Sequence, residues 1–251
     1  MSELPQRTVR SAVAPLLGDA RIAAPLTSQL LAGKVVTLLE VRGDWLHVRG
    51  PDAYEGWTHT GYTMPCAGDE AHWRISLGAH VRASTGVVRA LPLGARAAPH
   101  EDVVQGTVID HAARPTRFPL EATAIARSAE TLYAGASYLW GGVTPWGCDC
   151  SGFVQRVFAL HGLPLPRDAW QQALRGQSMP ANASADHTPG DLLFFSDRED
   201  RRVTHVGIAL DRHRMVHSAL MRGGIAIEHL QADDVYVARL RHQCVAVQRV
   251  L

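Results

Sequence analysis

The sequence predicts an α+β protein: helices packed on an antiparallel sheet, preceded by one or two small β-barrels. Three observations carry that expectation. Residues up to about 120 fall into short β-like runs broken by Gly, Pro and Asp. From Glu121 apolar residues recur at helical spacing. After Pro189-Gly190-Asp191 they gather into runs of strand length. Helices followed by strands within one segment is the order of an α+β domain. The expected division is a barrel over 1–68, a second β domain over 69–119 and the α+β domain over 120–251.

Each element follows from its residues. Val35–Val41 is a strand, Arg42-Gly43-Asp44 a turn, and Trp45–Val48 a second, alternating strand. Gly56-Trp57 opens a third. Short strands, aromatic punctuation and tight turns suggest a small barrel. His80–Arg82, Val87–Ala90 and Val103–Asp110 are fainter strands around a loop at Leu91–His100, and Arg114–Pro119 reads as a linker. Leu120–Leu132 has apolar residues at 125, 129 and 132 and reads as a helix ended by Gly135. Ser151–Leu160 is a second helix, stopped by Gly162 and Pro164, and Ala169–Arg175 a third. Leu192–Phe195, Val203–Leu210 and Arg214–Ala219 are strands, with two more at Gly224–His229 and Val235–Leu240.

Composition narrows the function. Lys plus Arg (25) nearly cancels Asp plus Glu (24), so nothing electrostatic favours nucleic acid or an anionic membrane as partner. No run approaches the roughly 20 apolar residues of a membrane span. Residues Met1–Leu17 lack a convincing secretory leader, and a cytoplasmic location is the expectation; a secreted or envelope location is the alternative if processing has removed a leader. The four cysteines, Cys66, Cys148, Cys150 and Cys244, contain no C-x-x-C pair and do not make a zinc pattern. No cofactor and no metal is expected, and no Walker loop, G-x-S-x-G or H-E-x-x-H is present. The oligomeric state is not legible.

One constellation carries chemistry. Cys150 stands immediately before an apolar helix, where backbone N–H groups and the helix dipole favour thiolate over thiol. Its pKa is therefore expected below the free value of about 8.5. The other reading of such a cysteine is a small core residue. A base stands at His205 and a second histidine at His217. A hairpin symmetric about Asp211 would place the two directly opposite each other on one face. That is the arrangement of a base and the group that orients its ring.

The motifs carry a resemblance. YLWGG at 138–142, DCSGF at 149–153, LPR at 165–167, PGDLLFF at 189–195 and HVGIAL at 205–210 resemble the NlpC-type cell-wall cysteine peptidases across about 121–251. GDW at 43–45 and YEGW at 54–57 look like the SH3-like domains often fused to them. The resemblance implies a papain-like core with Cys150 as nucleophile, His205 as base, His217 as third residue and Tyr138 beside the oxyanion. It implies hydrolysis of the γ-D-glutamyl–diamino acid bond in peptidoglycan stem peptides, with peptidoglycan-derived peptides as partners. In related proteins with two SH3-like domains a free N-terminal L-Ala is often required. Asp149 and Ser151 resemble the residues that meet that amine, and Tyr54, then Tyr62, the tyrosine that walls the site. The acid that precedes the Ser-Gln pair in such proteins is missing before Ser28-Gln29, and Ala169 replaces a polar contact. Asp149 and Ser151 also read as helix caps. Trp140 and Trp146 wall the cleft or pack, and Arg167 binds a substrate carboxylate or closes the approach to the helix. Cys148 is a packing residue. The other functions open on these residues are a thiol acyltransferase or amidase, and a non-catalytic wall-binding module.

Overall fold

The computed structural model describes residues 4–66, 73–182 and 187–251. In the first of these segments the apolar alternation produces a seven-stranded antiparallel sheet. Its strands are β1 (Gln6–Val9), β2 (Val13–Leu17), β3 (Leu26–Leu31), β4 (Val35–Arg42), β5 (Trp45–Arg49), β6 (Glu55–His59) and β7 (Thr63–Pro65). Their spatial order is β3-β2-β6-β5-β4-β1-β7. Arg42 pairs with Trp45 across a two-residue turn, and Gly43 at its first position has φ 57°, which a residue with a side chain adopts only at a steric cost. Leu16, Leu30, Val36, Leu46 and Val48 form the core of this sheet. Burying each such side chain is worth roughly 1.5–3 kcal/mol. Strands β1 to β3 have no counterpart in the sequence reading, because Pro15 and the Gly18–Pro25 stretch interrupt the alternation.

A second sheet follows, from β8 (Arg74–Arg82), β9 (Val88–Leu91), β10 (Arg96–Ala97) and β11 (Asp102–Ile109), with β8 central. Arg96 N–H donates to Ala32 O at 2.9 Å and ties this sheet to the first. Both lie in one unit, Met1–Arg114; the other is Pro115–Leu251. The boundary expected between 68 and 69 lies outside the described residues.

In the second unit the α+β order is present. A single turn, α1 (Arg114–Arg117), begins on the last residue of the first unit and is followed by α2 (Ala122–Thr131), α3 (Cys150–Leu160) and the short α4 (Ala169–Gln172). A two-stranded ribbon, β12 (Val143–Thr144) and β13 (Gly147–Cys148), precedes α3. The main sheet contains β14 (Gln177–Met179), β15 (Leu192–Phe195), β16 (His205–Ala209), β17 (Arg214–Ala219), β18 (Gly224–His229) and β19 (Cys244–Arg249). Its order is β14-β19-β15-β16-β17-β18, and every pair is antiparallel. Helix α3 is buried along most of its length and packs on β16 and β17.

Polar anchors fix the frame. His161, just past α3, bonds Pro119 O at 2.6 Å and Ser128 Oγ at 2.9 Å, which joins α3 to α2 and to the segment before it. Asp191 of the PGD turn is gripped by both arms of Arg249 at 2.8 Å, which locks β19 beside β15. Arg249 holds that carboxyl below the usual range although burial works the other way.

One element differs in kind from the expectation. Val235–Leu240 was expected as a strand and is helix α5 (Val235–Gln243). Asp234 caps it, accepting from Val237 N–H at 2.9 Å, and Val237 and Leu240 point inward. The cap and the i, i+3 burial overcome the strand preference of Val235, Tyr236 and Val237. Among the described residues no helix is long and apolar enough to cross a membrane.

Candidate active site

The site is assembled at the start of α3. Asp149 is the N-cap: its Oδ1 accepts from Gly152 N–H at 2.7 Å. Its Oδ2 accepts from Gly141 N–H at 2.8 Å, which draws the YLWGG loop onto the helix. A side chain at Gly152 could not fit, since its Cβ would stand 2.2 Å from the Gly142 carbonyl oxygen. The glycines of this motif therefore allow loop and helix backbones to touch. Arg167, 2% exposed, completes the network with NH1 to Oδ1 at 3.0 Å and NH2 to Oδ2 at 2.6 Å, and also donates to Ser151 Oγ at 3.0 Å.

Cys150 is thus carried on a braced helix end. The N–H of the peptide joining His205 to Val206 points at its sulfur, as does that of Ser151. Burial pushes the thiol up, to about 12, and the Asp149 carboxylate adds to the rise; the two N–H groups and Arg167 pull the other way. The expectation of a lowered pKa is corrected here. A helix N-terminus lowers a thiol that water reaches, whereas this one is buried beside a carboxylate. Burial, with His217 adding, holds the His205 imidazole down at about 3. Both shifts disfavour the charged forms of sulfur and imidazole.

The two histidines meet, in a different register from the one expected. Ile208 pairs with Val216 and Ala209 with Met215, so the hairpin is centred on Arg212 and not Asp211. By extension of that register His217 stands opposite Gly207, diagonal to His205. A shift of two residues keeps the face, and diagonal neighbours are within reach of long side chains. His205 Nε2 lies 2.8 Å from His217 Nδ1. Nδ1 is the ring nitrogen of His205 that this contact leaves outside the pair.

Behind them stands a residue the sequence reading missed. Glu228 of β18 is 5% exposed and its Oε1 is 3.5 Å from Nε2 of the fully buried His217. Among the described residues that nitrogen has no partner of good hydrogen-bond geometry, and the Glu228 carboxylate is the acceptor beside it. Arg222 grips Glu228 through Nε to Oε1 at 2.8 Å and NH2 to Oε2 at 3.1 Å. Burial raises the Glu228 carboxyl, and His217 and Arg222 together outweigh it, bringing it to about 2. The signal was present: Glu228 continues the diagonal of His205 and His217 across β16, β17 and β18, since His217 pairs with Ala226.

Tyr138 is half-buried and held by its backbone, donating N–H to Gly223 O at 2.8 Å and bridging to Cys148. Burial raises its phenol, and the charges of Cys150 and Asp149 raise it further, which keeps it protonated. Cys148 is fully buried, its carbonyl taken by Ser218 Oγ at 2.7 Å and its thiol pushed up to about 12 by burial. Arg167 was expected either to meet a substrate carboxylate or to close the helix approach. It does the second, with Asp149 as its carboxylate. Trp140 and Trp146 are exposed rather than packed, at 67% and 57%. Tyr54 and Tyr62 pack against the core of the N-terminal sheet. All four cysteines are free thiols.

Residues 135–242 match the NlpC/P60 family and residues 16–60 the bacterial dipeptidyl-peptidase Sh3 domain. The chain is similar to the gamma-D-glutamyl-L-lysine dipeptidyl-peptidase of Bacillus subtilis, 38% identical over 104 residues, 41% of this chain and 33% of that protein. It is similar to the murein DD-endopeptidase MepS/murein LD-carboxypeptidase of Escherichia coli, 38% identical over 94 residues, 37% of this chain and 47% of that one. The alignments thus span less than half the length of these two relatives. A crystal structure of an NlpC/P60 family protein from Bacillus cereus has the same fold, with TM-score 0.80 and 17% identity over 98% of this chain and 99% of that one.

Proposed function

We propose, for a chain that carries an NlpC/P60 domain behind a bacterial SH3-like domain, a cysteine endopeptidase acting on peptidoglycan stem peptides. The bond cut is that between γ-D-Glu and the diamino acid. The observations that support this reading are a cysteine at the start of α3 whose sulfur meets the Val206 N–H, next in the chain to His205, and the 2.8 Å contact of the His205 imidazole with His217.

The sulfur of Cys150 attacks the scissile carbonyl carbon as its proton passes to His205 Nδ1. Bringing a carbonyl to the sulfur converts a neutral pair into one whose developing charges neutralise each other. Tyr138 OH and backbone N–H groups at the start of α3 hold the oxyanion. His205 then protonates the departing amine of the diamino acid, which leaves a thioester on Cys150. Water, deprotonated by His205, releases the L-Ala-γ-D-Glu product and restores the thiol.

The favoured substrates are recycled murein peptides with a free N-terminal L-Ala, met in the cytoplasm. Asp149 and Ser151 are the groups nearest the nucleophile for that amine. An ammonium there shares the carboxylate with Arg167, two backbone N–H groups and the Ser151 hydroxyl. The test is incubation with L-Ala-γ-D-Glu-diamino acid tripeptide, free and N-acetylated. Wild type is expected to release the dipeptide, faster from the free form, and Cys150→Ala to release none. Binding of wall fragments by wild type without turnover would instead identify a binding module, and equal rates on both tripeptides would remove the amine requirement.

A further inference from the structure

The diagonal row across β16, β17 and β18 ends on a carboxylate that the catalytic chemistry above does not use. His217 is fully buried, and its Nδ1 is engaged by His205 Nε2 at 2.8 Å. Two nitrogens that face each other need one proton between them, and either ring can supply it. If His217 carries it, His205 Nε2 is the acceptor, so the neutral His205 ring bears its proton on Nδ1. The nitrogen that the peptidase reading assigns as base is then already protonated and cannot act. If His205 carries it, Nδ1 is free.

What decides between the two is the far nitrogen of His217. Among the described residues Nε2 has no partner of good hydrogen-bond geometry, and the Glu228 carboxylate lies 3.5 Å away. A buried N–H directed towards an anion is stabilised, whereas a lone pair directed at the same anion is repelled. The carboxylate cannot swing off to solvent, because Arg222 holds both its oxygens and is itself tied to Asp234 Oδ1 at 3.2 Å. Tyr236 of α5 lies over the row, its ring centroid 6.1 Å from that of His217, and carries the guanidinium of Arg222 at 4.8 Å and that of Arg239 at 5.4 Å.

We propose that Glu228 is a positioning residue that fixes the tautomers of both histidines. Its carboxylate keeps a proton on His217 Nε2. His217 Nδ1 is then an acceptor, His205 Nε2 the donor to it, and His205 Nδ1 the unprotonated nitrogen, available as the base of the peptidase reading. The same carboxylate stabilises the imidazolium that forms when the sulfur gives up its proton. No covalent step is added; one proton moves from sulfur to Nδ1, and the row behind it stays as it was. The inference rests on the peptidase reading for its kinetic consequence, but not for the tautomers themselves.

Two measurements on the full chain keep those apart. The first is a long-range ¹⁵N–¹H spectrum of protein labelled in its histidines, with the His217 signals assigned by their loss in His217→Gln. Wild type is expected to show Nε2–H on His217 and Nε2–H on His205. Glu228→Gln keeps an acceptor for Arg222 but loses the charge, and the His217 tautomer populations are expected to shift. The second is the pH dependence of tripeptide hydrolysis. Glu228→Gln is expected to lower kcat by about tenfold or more, as wrong-tautomer variants of base–orienter pairs do, with KM within about twofold and the acid limb moved to lower pH. Glu228→Asp, which restores the charge, is expected to recover part of kcat. A proton found on His217 Nδ1 in wild type overturns the proposal whether or not the tripeptide is cut. So does a Glu228→Gln protein with unchanged tautomers and unchanged kcat. Absence of hydrolysis by wild type with the expected tautomers sinks the peptidase reading and leaves the histidine assignment standing.

Discussion

Beneath the nucleophile, each oxygen of Asp149 takes one guanidinium N–H of Arg167 and one backbone N–H. Behind the base, Arg222 likewise grips both oxygens of Glu228, yet the nearby His217 Nε2 has no partner of good hydrogen-bond geometry among the described residues. The first network gives every oxygen of its carboxylate fixed donors and braces the end of α3. The second leaves one carboxylate facing one nitrogen and has charge to spare for an imidazolium. A buried ion pair is a poor source of net stability but a strong constraint on position. The comparison separates a pair that fixes the place of a nucleophile from a group that sets the protonation of its base.

The largest effect expected lies at the junction of the two. Cys150→Ala or His205→Ala should each lower kcat on the tripeptide by about 10⁴-fold, and the double variant should be little worse than either alone, because the two act as a unit. Additive losses would separate sulfur from imidazole. Next, Arg167→Met should destabilise the protein by about 3 kcal/mol in a denaturant titration, since it leaves the Asp149 carboxylate buried without its counter-charge. Asp149→Asn combined with Arg167→Met should recover part of that loss. An Arg167→Met protein as stable as wild type would break the contrast between the two networks.

Stability should also depend on pH through the second network. His205 is held at about 3 in the fold against an ordinary value of 6.5, so the unfolded chain binds its proton first as pH falls. Its contribution is complete above about 6.5 and declines between there and about 3. Glu228, at about 2 against 4.5, declines in the same direction between those values. Melting temperature should fall steadily from pH 6.5 downwards, and His205→Gln should flatten the upper part of that fall. A wild-type profile flat from pH 7 to 4 would contradict the His205 assignment, and one flat from pH 4.5 to 2 that of Glu228. The smallest effect belongs to Cys148→Ser, whose thiol takes no part in the relay; kcat should stay within about twofold and only the melting temperature should drop.

The sequence held much of this and lost the rest for identifiable reasons. Strands at 192–195, 214–219 and 224–229 and helix α3 were legible to within a residue, because apolar runs there are bounded by Gly, Pro or a polar cap. Helix α5 was not, since β-branched residues outweighed the cap at Asp234. The pairing of His205 with His217 was legible through face parity, although the hairpin register was two residues off. Parity survives such an error, whereas a count of opposed residues does not. The Cys150 pKa was misread because a helix N-terminus is visible in sequence and burial is not. Glu228 was missed because a third strand had to be set in register before its carboxylate came near the histidines. The pairing of Asp149 with Arg167 joins residues 18 positions apart through a loop, and no periodicity reports it.

Quenching the reaction in acid during turnover of the tripeptide, then measuring the intact mass, tests most directly whether sulfur is the attacking group. A fraction of the protein should carry the mass of L-Ala-γ-D-Glu as a thioester, located by digestion to the peptide containing Cys150 and absent from Cys150→Ala. Turnover that proceeds with no adduct and persists in Cys150→Ala would contradict the account.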